Sequence, residues 1–373
     1  MSEVSTSIRK DISLYCSSCG ASFPPDMRLL ACTVCGEPLL VKYGEISTNP
    51  HMEIPVYSCN ALVSLGEGNT PVIKMDKLGS RLPCGNIFAK LEFMNPTGSF
   101  KDRGTAMMIS VAKGFNIANL VEDSSGNAGS SVAAYCGKAG ITAHIFVPSS
   151  APQPKLDQIS VYGAIAHKIE GTREMVTDAA SDFVDEKGYV YGAHKLSPYF
   201  LEGTKAFAYE IARHNLGEMP EHIIMPVGNG SLYIGAWLGF KELIFKGVIL
   251  KMPKMHVVQA SAVKPLVNLF SGNRKEEPIG ITVAGGISVS NPPRSKLIGE
   301  ILLETGGHAA AVDDEVILEW QKILAQENGI YCEPTSSSAF AGLEYLIRDG
   351  IIAKKESVLV AVTGFGLKDN LYI

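Results

Sequence analysis

The chain has 373 residues, 46% of them hydrophobic and only 19% charged, which is enough apolar material for two domains plus an appendage and argues against disorder. A formal charge of −5 excludes a general nucleic-acid binder, which needs a basic face to displace phosphate counterions, and leaves small molecules as the expected ligands. No apolar run approaches the ~18 residues of a membrane span, and the opening residues lack the apolar core of a signal peptide, so the expectation is no membrane association and a cytoplasmic location.

The first segment carries Cys16-x2-Cys19 and Cys32-x2-Cys35, with Gly20 and Gly36 directly after the two pairs. Each pair offers two thiolates on one tight turn, and the glycines permit the sharp bend behind them, so the spacing predicts one tetrahedral structural zinc in a ribbon. In a cytosolic chain of this length, eight cysteines read as ligands or buried thiols rather than disulfides. Cys59, Cys84, Cys136 and Cys332 lack any ligand spacing and are read as core.

After about residue 45, short β-rich apolar runs alternate with helical patterns, the order of parallel α/β sheets flanked by helices. Strands are expected at Ile87–Leu91, Asn119–Glu122, Ala143–Val147, His222–Val227, His256–Gln259 and Val358–Val362. Helices are expected at Thr105–Phe115, Ser130–Lys138, Glu174–Lys187, Glu202–Asn215, Tyr233–Lys246, Asp314–Glu327 and Ser337–Asp349. Ligands of such sheets sit at the carboxyl ends of strands, so the loops there carry the chemistry.

Four of those loops stand out. Asn95-Pro96-Thr97-Gly98-Ser99-Phe100-Lys101-Asp102-Arg103-Gly104 places a lysine at a helix start after a tight turn, with Arg103 to depress its proton affinity and Phe100 to dry the site. Such a lysine is suited to Schiff-base chemistry. Ser124-Ser125-Gly126-Asn127-Ala128-Gly129 ends a strand and opens a helix, which makes a carboxylate nest; an ordinary helix cap is the competing reading. Gly228-Asn229-Gly230-Ser231, followed by Leu232, lets backbone approach a phosphate closely, with no Gly-Lys-Ser/Thr to indicate a nucleotide loop. The last is Thr363-Gly364-Phe365-Gly366-Leu367-Lys368-Asp369.

The lysine motif and the carboxyl-terminal motif, with Gly66-Glu67-Gly68-Asn69-Thr70-Pro71 upstream, resemble those of the threonine synthases, enzymes of the tryptophan-synthase-like (fold type II) pyridoxal-phosphate group. The resemblance runs from the ribbon to the last residues. It implies an α/β, two-domain fold: a zinc ribbon at 1–45, a large catalytic domain from 46–104 and 200–373, and a small α/β domain at 105–199. It also implies a homodimer. Lys101 is then the lysine linked to pyridoxal 5'-phosphate, and Asn127 bonds the phenolic oxygen. Gly228, Asn229, Gly230, Ser231 and Leu232 hold the cofactor phosphate, and Thr363 meets the pyridine nitrogen. Ser124, Ser125 and Gly126 hold the amino-acid carboxylate. Glu333, the rival partner for the ring, is read as capping the helix that follows it.

The implied reaction converts O-phosphohomoserine and water to threonine and phosphate, by γ-elimination and β-addition. One departure bears on it. Where the family has Asn-Ser-x-Asn-Pro-x-Arg-x-Glu-Gly, this chain has His194-Lys195-Leu196-Ser197-Pro198-Tyr199-Phe200-Leu201-Glu202-Gly203, and a phenylalanine cannot give a phosphate the bidentate bonds of arginine. His194 and Lys195 are the substitute cations, with Arg103 and Asn229 as further contacts for the substrate phosphate. The alternatives are β-elimination or β-replacement on serine, threonine or O-phosphoserine, as in dehydratases or cysteate synthases. From another class, the ribbon raises a nucleic-acid or protein-binding module on a vestigial catalytic fold; the intact loops and acidic balance oppose it.

Overall fold

The computed structural model describes residues 7–57, 61–151, 153–214, 218–272 and 280–369. Its strands are β1 (Ile12–Tyr15), β2 (Ser22–Phe23), β3 (Leu40–Tyr43), β4 (Val72–Lys74), β5 (Ile87–Lys90), β6 (Asn119–Glu122), β7 (Thr142–Pro148), β8 (Ile165–Ile169), β9 (Val190–Tyr191), β10 (His222–Pro226), β11 (Lys254–Ala260), β12 (Ala309–Val312) and β13 (Val358–Ala361). The helices are α1 (Lys101–Gly114), α2 (Asn127–Ala139), α3 (Gln153–Val161), α4 (Arg173–Lys187), α5 (Pro198–Thr204), α6 (Ala206–Arg213), α7 (Ser231–Phe245), α8 (Pro265–Phe270), α9 (Ser295–Thr305), α10 (Asp314–Asn328) and α11 (Pro334–Arg348).

The chain divides into two compact units, Met1–Glu67 with Lys101–Ala206 and Gly68–Phe100 with Phe207–Ile373. Relative to the partition expected from sequence, residues 46–67, 101–104 and 200–206 fall with the first unit. The cause is local: α1 begins at Lys101, α5 packs on it, and the Val63 N–H donates to Ser110 Oγ at 2.7 Å.

In the first unit an antiparallel sheet ordered β2-β1-β3 accompanies a parallel sheet ordered β8-β7-β6-β9. Ala143–Val147 of strand β7 is a continuous buried run, as befits a parallel strand covered on both faces. One apolar core joins Leu14, Cys16 and Leu39 of the ribbon to Met108 and Ile109 of α1, Tyr135 of α2 and Ile145 of β7. The ribbon therefore shares the unit's core. Polar ties reinforce it: Tyr43 of β3 donates to the Glu202 carboxylate of α5, whose second partner is Lys205 at 2.6 Å.

Helix α1 is buried along nearly its whole length, and its approach to α5 depends on two glycines. A Cβ on Gly104 would lie 2.3 Å from the Phe200 ring, and one on Gly203 would lie 2.0 Å from the Arg103 carbonyl oxygen. Only a residue without a side chain permits such contact.

The second unit is built on a sheet ordered β12-β11-β10-β13-β5-β4, parallel except for the edge strand β4. Ala89, Ile224, Val258 and Val360 of the sheet pack with Trp320, Leu324 and Phe340 of α10 and α11. Three histidines line up across it. The His308 N–H donates to His256 Nδ1 at 3.1 Å, so His256 carries its proton on Nε2 and donates to His222 Nδ1 at 2.8 Å. His222 Nε2 then faces Glu356 Oε2 at 3.1 Å. Burial, helped by the neighbouring His222, His308 and Lys254, depresses His256 to about 3.

The expected strands are present, with ends displaced by up to two residues. Helices start earlier than expected: α1 at Lys101, α2 at Asn127 and α7 at Ser231. The expected helix Glu202–Asn215 is instead α5 and α6, broken at Lys205, and Asn215 lies outside the described residues. Pro198 at the first turn and the Ser197 side chain, which accepts from Phe200 N, start α5 four residues earlier. Cys136 and Cys332 are core thiols pushed upward by burial, and half-buried Cys84 is pushed up to about 11 by the same cause. Cys59 lies outside the described residues.

Candidate active site

In the second unit the two most specific motifs pair directly. Ser99 bridges Gly364 in antiparallel fashion, Phe365 N–H donates to Gly98 O at 3.0 Å, and Phe100 N–H donates to Thr363 O at 3.1 Å. Lys368 Nζ adds a 2.6 Å bond to Thr97 O, and Gly98 adopts φ +84° with no room for a Cβ beside the Lys368 stem. The carboxyl-terminal motif thus clamps the loop that delivers Lys101, the first residue of α1.

Upstream, Asn69 and Thr70 of the Gly-Asn-Thr-Pro turn donate their N–H groups to Glu210, which pairs with fully buried Lys90 at 2.7 Å. Gly68 N–H donates to Asn95 Oδ1 at 2.9 Å, which ties the same turn to the start of the lysine motif.

Thr363 is 4% exposed, and its Oγ1 lies 3.1 Å from Ser336 Oγ, which also accepts from Gly364 N–H at 2.9 Å. Glu333 is the N-cap residue of α11, as expected, its backbone carbonyl accepting from the Ser336 and Ser337 N–H groups at 2.8 and 3.2 Å. No side-chain bond from Glu333 caps that helix; its carboxylate covers Gly364, where a Cβ would sit 2.0 Å from Oε2. The neighbouring backbone pair, Glu333 N–H to Gly364 O at 3.0 Å, fixes it there.

Gly228, Asn229 and Gly230 connect β10 to α7, with Gly230 at φ +80° as the helix N-cap. Cβ atoms on Gly228 and Gly230 would meet Gly286 O at 3.0 Å and Ile298 at 2.5 Å. The loop opens onto the first turn of a 15-residue helix that begins at Ser231 and Leu232, where N–H groups have no intrahelical acceptor and the helix dipole favours an anion. Sequence reasoning missed the wall behind it: the turn Gly285-Gly286-Ile287, held by the Gly286 N–H bond to Thr335 Oγ1 at 2.9 Å. The paired glycines were the available signal.

In the first unit, Lys101 Nζ sits 5.8 Å from the centroid of the buried Phe200 ring. Asp102 is fully buried and accepts from Ser131 Oγ at 2.6 Å, and Arg103 is buried beside it. Ser124, Ser125 and Gly126 form the turn before α2, with Gly126 as N-cap and Asn127 as the first helical residue. Ser124 Oγ accepts from Gly126 N–H at 3.3 Å, and a Cβ on Gly129 would lie 1.9 Å from Ser124 O, so this turn closes tightly on its own helix.

The two cations expected to face a substrate phosphate are both held by carboxylates. Glu122 accepts from the His194 backbone N–H at 3.1 Å and from Nδ1 at 2.8 Å, and burial lowers the histidine's proton affinity. Lys195 pairs with Asp123 at 2.9 Å, alongside Arg173 at 2.8 Å and the Thr177 hydroxyl at 2.7 Å. Burial alone would raise Asp123, but Arg173 and Lys195 hold it below the ordinary carboxylate range. The acid pair Glu122-Asp123 at the end of β6 was legible in sequence, its partners were not.

The four ribbon cysteines do converge, their Sγ atoms all lying within 4.8 Å of one another. The Cys16–Cys35 and Cys19–Cys32 separations are 3.4 and 3.6 Å, close to the roughly 3.8 Å edge of a tetrahedron with ~2.3 Å zinc–sulfur bonds. Gly20 and Gly36 take φ +77° and +80°, and each donates its N–H to the carbonyl of the first cysteine of its knuckle at 2.9 Å. The donor set fits zinc.

Within the second unit the glycine cradle that a Cβ would fill, at a helix N-terminus, fits the phosphate of pyridoxal phosphate, and the first unit by itself presents Lys101 at the head of a buried helix. Residues 63–364 match the family model described as "Pyridoxal-phosphate dependent enzyme". The threonine synthase of Methanocaldococcus jannaschii is 33% identical over 377 residues, 95% of this chain and 92% of that protein. That of Halalkalibacterium halodurans is 34% identical over 85% of this chain and 87% of its own length. Among solved structures, a fungal L-serine ammonia-lyase from Rhizomucor miehei superposes with a TM-score of 0.70 at 23% identity, over 80% of this chain and 94% of that one. The processed form of threonine deaminase isoform 2 from Solanum lycopersicum gives 0.68 at 22% identity, over 81% and 79%. The chain belongs to the pyridoxal-phosphate-dependent enzyme family, as a threonine-synthase-like lyase.

Proposed function

We propose that this enzyme converts O-phosphohomoserine and water to threonine and phosphate. The observation that carries the reading is the pairing of residues 98–100 with Thr363-Gly364-Phe365, the two motifs most specific to this reaction class, joined with threonine synthases as relatives over almost the whole chain. The cofactor, when bound, supplies an electron sink for the carbanions of elimination and addition. Lys101 links to it and moves protons at the substrate's Cα and Cβ. Gly228, Asn229, Gly230, Ser231 and Leu232 hold the cofactor phosphate, and Asn127 holds its phenolic oxygen. Ser124, Ser125 and Gly126 take the amino-acid carboxylate. Thr363 offers the ring nitrogen a neutral hydroxyl, which limits the electron sink and favours elimination and replacement over transamination. Cys16, Cys19, Cys32 and Cys35 hold one structural zinc.

A second reading, β-elimination or β-replacement on unphosphorylated serine or threonine, is favoured by one specific feature: His194 and Lys195 are already matched by Glu122 and Asp123, and Phe200 is packed on Gly104. Incubation with O-phosphohomoserine separates the two. The proposal expects threonine and phosphate in equal amounts. Release of a 2-oxo acid and ammonia from serine or threonine, with O-phosphohomoserine untouched, would replace it by the second reading.

A further inference from the structure

Two adjacent serines of α2 bond in different directions. Ser130 returns its Oγ to Gly126 O at 3.4 Å, the back-bond common for a serine inside a helix, whereas Ser131 Oγ donates out of α2 to Asp102 Oδ1 at 2.6 Å. Both partners of that outward bond are fully buried, and Asp102 lies in the first turn of α1, directly after Lys101. The dipole of α1 favours a carboxylate there, and burial obliges it to find donors. Ser131 stands one turn beyond Asn127 and Tyr135 one turn further, so the three share a face of α2. Tyr135 OH donates to Glu67 Oε2 at 2.7 Å, and Glu67 also accepts from Ser64 Oγ and Leu65 N–H at 3.0 Å each. The turn at Ser124, Ser125 and Gly126 is seated on the same helix, since a Cβ on Gly129 would lie 1.9 Å from Ser124 O. On the α5 side, α1 meets the Phe200 ring at Gly104, a contact that sets separation but has little directionality. The Ser131 bond is directional, and it fixes how far α1 can slide or turn against α2.

We propose that Ser131 and Asp102 are a positioning pair for Lys101: their bond registers the head of α1, and with it the lysine amine, against the 124–127 turn at the head of α2. Neither residue takes part in the chemistry. They act through Lys101, whose amine must meet a carbonyl carbon within a narrow range of distance and angle, so that a misplacement of about 1 Å can cost on the order of a hundredfold in rate. The proposal rests on Lys101 as the cofactor lysine and on the 124–127 turn as part of the same site, and it holds whichever amino acid is the substrate.

The test uses the full-length apo protein, pyridoxal phosphate and no amino acid, so a wrong substrate assignment leaves it unaffected. The maximal rate at which a borohydride-reducible linkage forms at Lys101 is measured together with the pyridoxal phosphate concentration that gives half that rate. Ser131→Ala should lower the maximal rate by roughly tenfold to a hundredfold and leave the half-saturating concentration unchanged, because the phosphate loop at 228–232 is untouched. Asp102→Asn, which keeps an oxygen to accept the bond, should lose less than Ser131→Ala. Ser130→Ala, which also deletes a buried hydroxyl from α2, should match the parent. If Ser131→Ala does not fold, Ser131→Cys, a weaker donor of similar shape, should show a smaller loss of the same kind. A parent-like rate in folded Ser131→Ala or Ser131→Cys would overturn the proposal. So would an equal loss in Ser130→Ala, a larger loss in Asp102→Asn than in Ser131→Ala, or a loss confined to the half-saturating concentration. Absence of any linkage in the parent protein would overturn the Lys101 assignment and the positioning role with it.

Discussion

Substituting alanine at Gly104 and Gly203 is the most quantitative test of how α1, and therefore Lys101, is positioned. Both glycines lie within helices, so helix propensity alone favours alanine by roughly 0.5–1 kcal/mol. Packing decides the sign. At Gly203 the new Cβ would be 2.0 Å from a backbone oxygen, where real Cβ atoms keep 3.0 Å or more, so α5 and α1 must separate by about 1 Å. Overpacking on this scale costs about 1–3 kcal/mol, and an obstacle made of helix backbone puts Gly203→Ala at the upper end, a net loss of about 2 kcal/mol. At Gly104 the obstacle is the Phe200 ring at 2.3 Å, a side chain that can be shortened. Phe200→Leu should therefore offset at least about 1 kcal/mol of the Gly104→Ala loss in a double-mutant cycle, and should leave Gly203→Ala unrescued. Urea unfolding followed by far-ultraviolet circular dichroism suits the purpose, because both tryptophans, Trp237 and Trp320, lie in the second unit. A Gly203→Ala protein as stable as the parent, or equal rescue of both variants by Phe200→Leu, would refute the reasoning.

Two further outcomes concern His256 and the ribbon cysteines. His256 is depressed to about 3, below its unfolded value of about 6.5, so the native state resists protonation and stability is complete above pH 6.5. As the pH falls below 6.5 the unfolded chain binds the proton first, and stability should fall by up to about 1.4 kcal/mol per pH unit; His256→Gln should flatten that acid limb, as read from urea midpoints at successive pH values. For the ribbon, metal analysis should give one zinc per chain, and its removal by a chelator should lower the melting temperature because the ribbon shares the first unit's core. A metal-free protein with four freely titrating ribbon thiols would exclude the site.

How far the sequence could be read depended on whether a feature is local. Lys101 at a helix start follows from the turn glycine and the helical pattern beside it, and the cysteine knuckles from their spacing and trailing glycines. The parallel strands announced themselves as short apolar runs. What was not legible is pairing across long separations. Nothing near Thr97 indicates that Lys368, 271 residues away, supplies its hydrogen bond. His194 and Lys195 read as loose cations because Glu122 and Asp123 are each 72 residues distant. Glu333 at the start of α11 was legible as its N-cap residue, but the seat of its carboxylate over Gly364 was not, because that glycine lies far along the chain. At the break between α5 and α6, Lys205 Nζ donates to Glu53 O at 2.9 Å, another contact without a local signature.

One measurement addresses the role of Lys101 directly. Reduction of the holoenzyme with borohydride, followed by proteolysis and mass analysis, should place the pyridoxyl group on the peptide containing Lys101, and Lys101→Ala should lose that label while its circular dichroism spectrum is retained. A pyridoxyl group found instead on Lys90, Lys195 or any other lysine, or a label that persists in Lys101→Ala, would contradict the account.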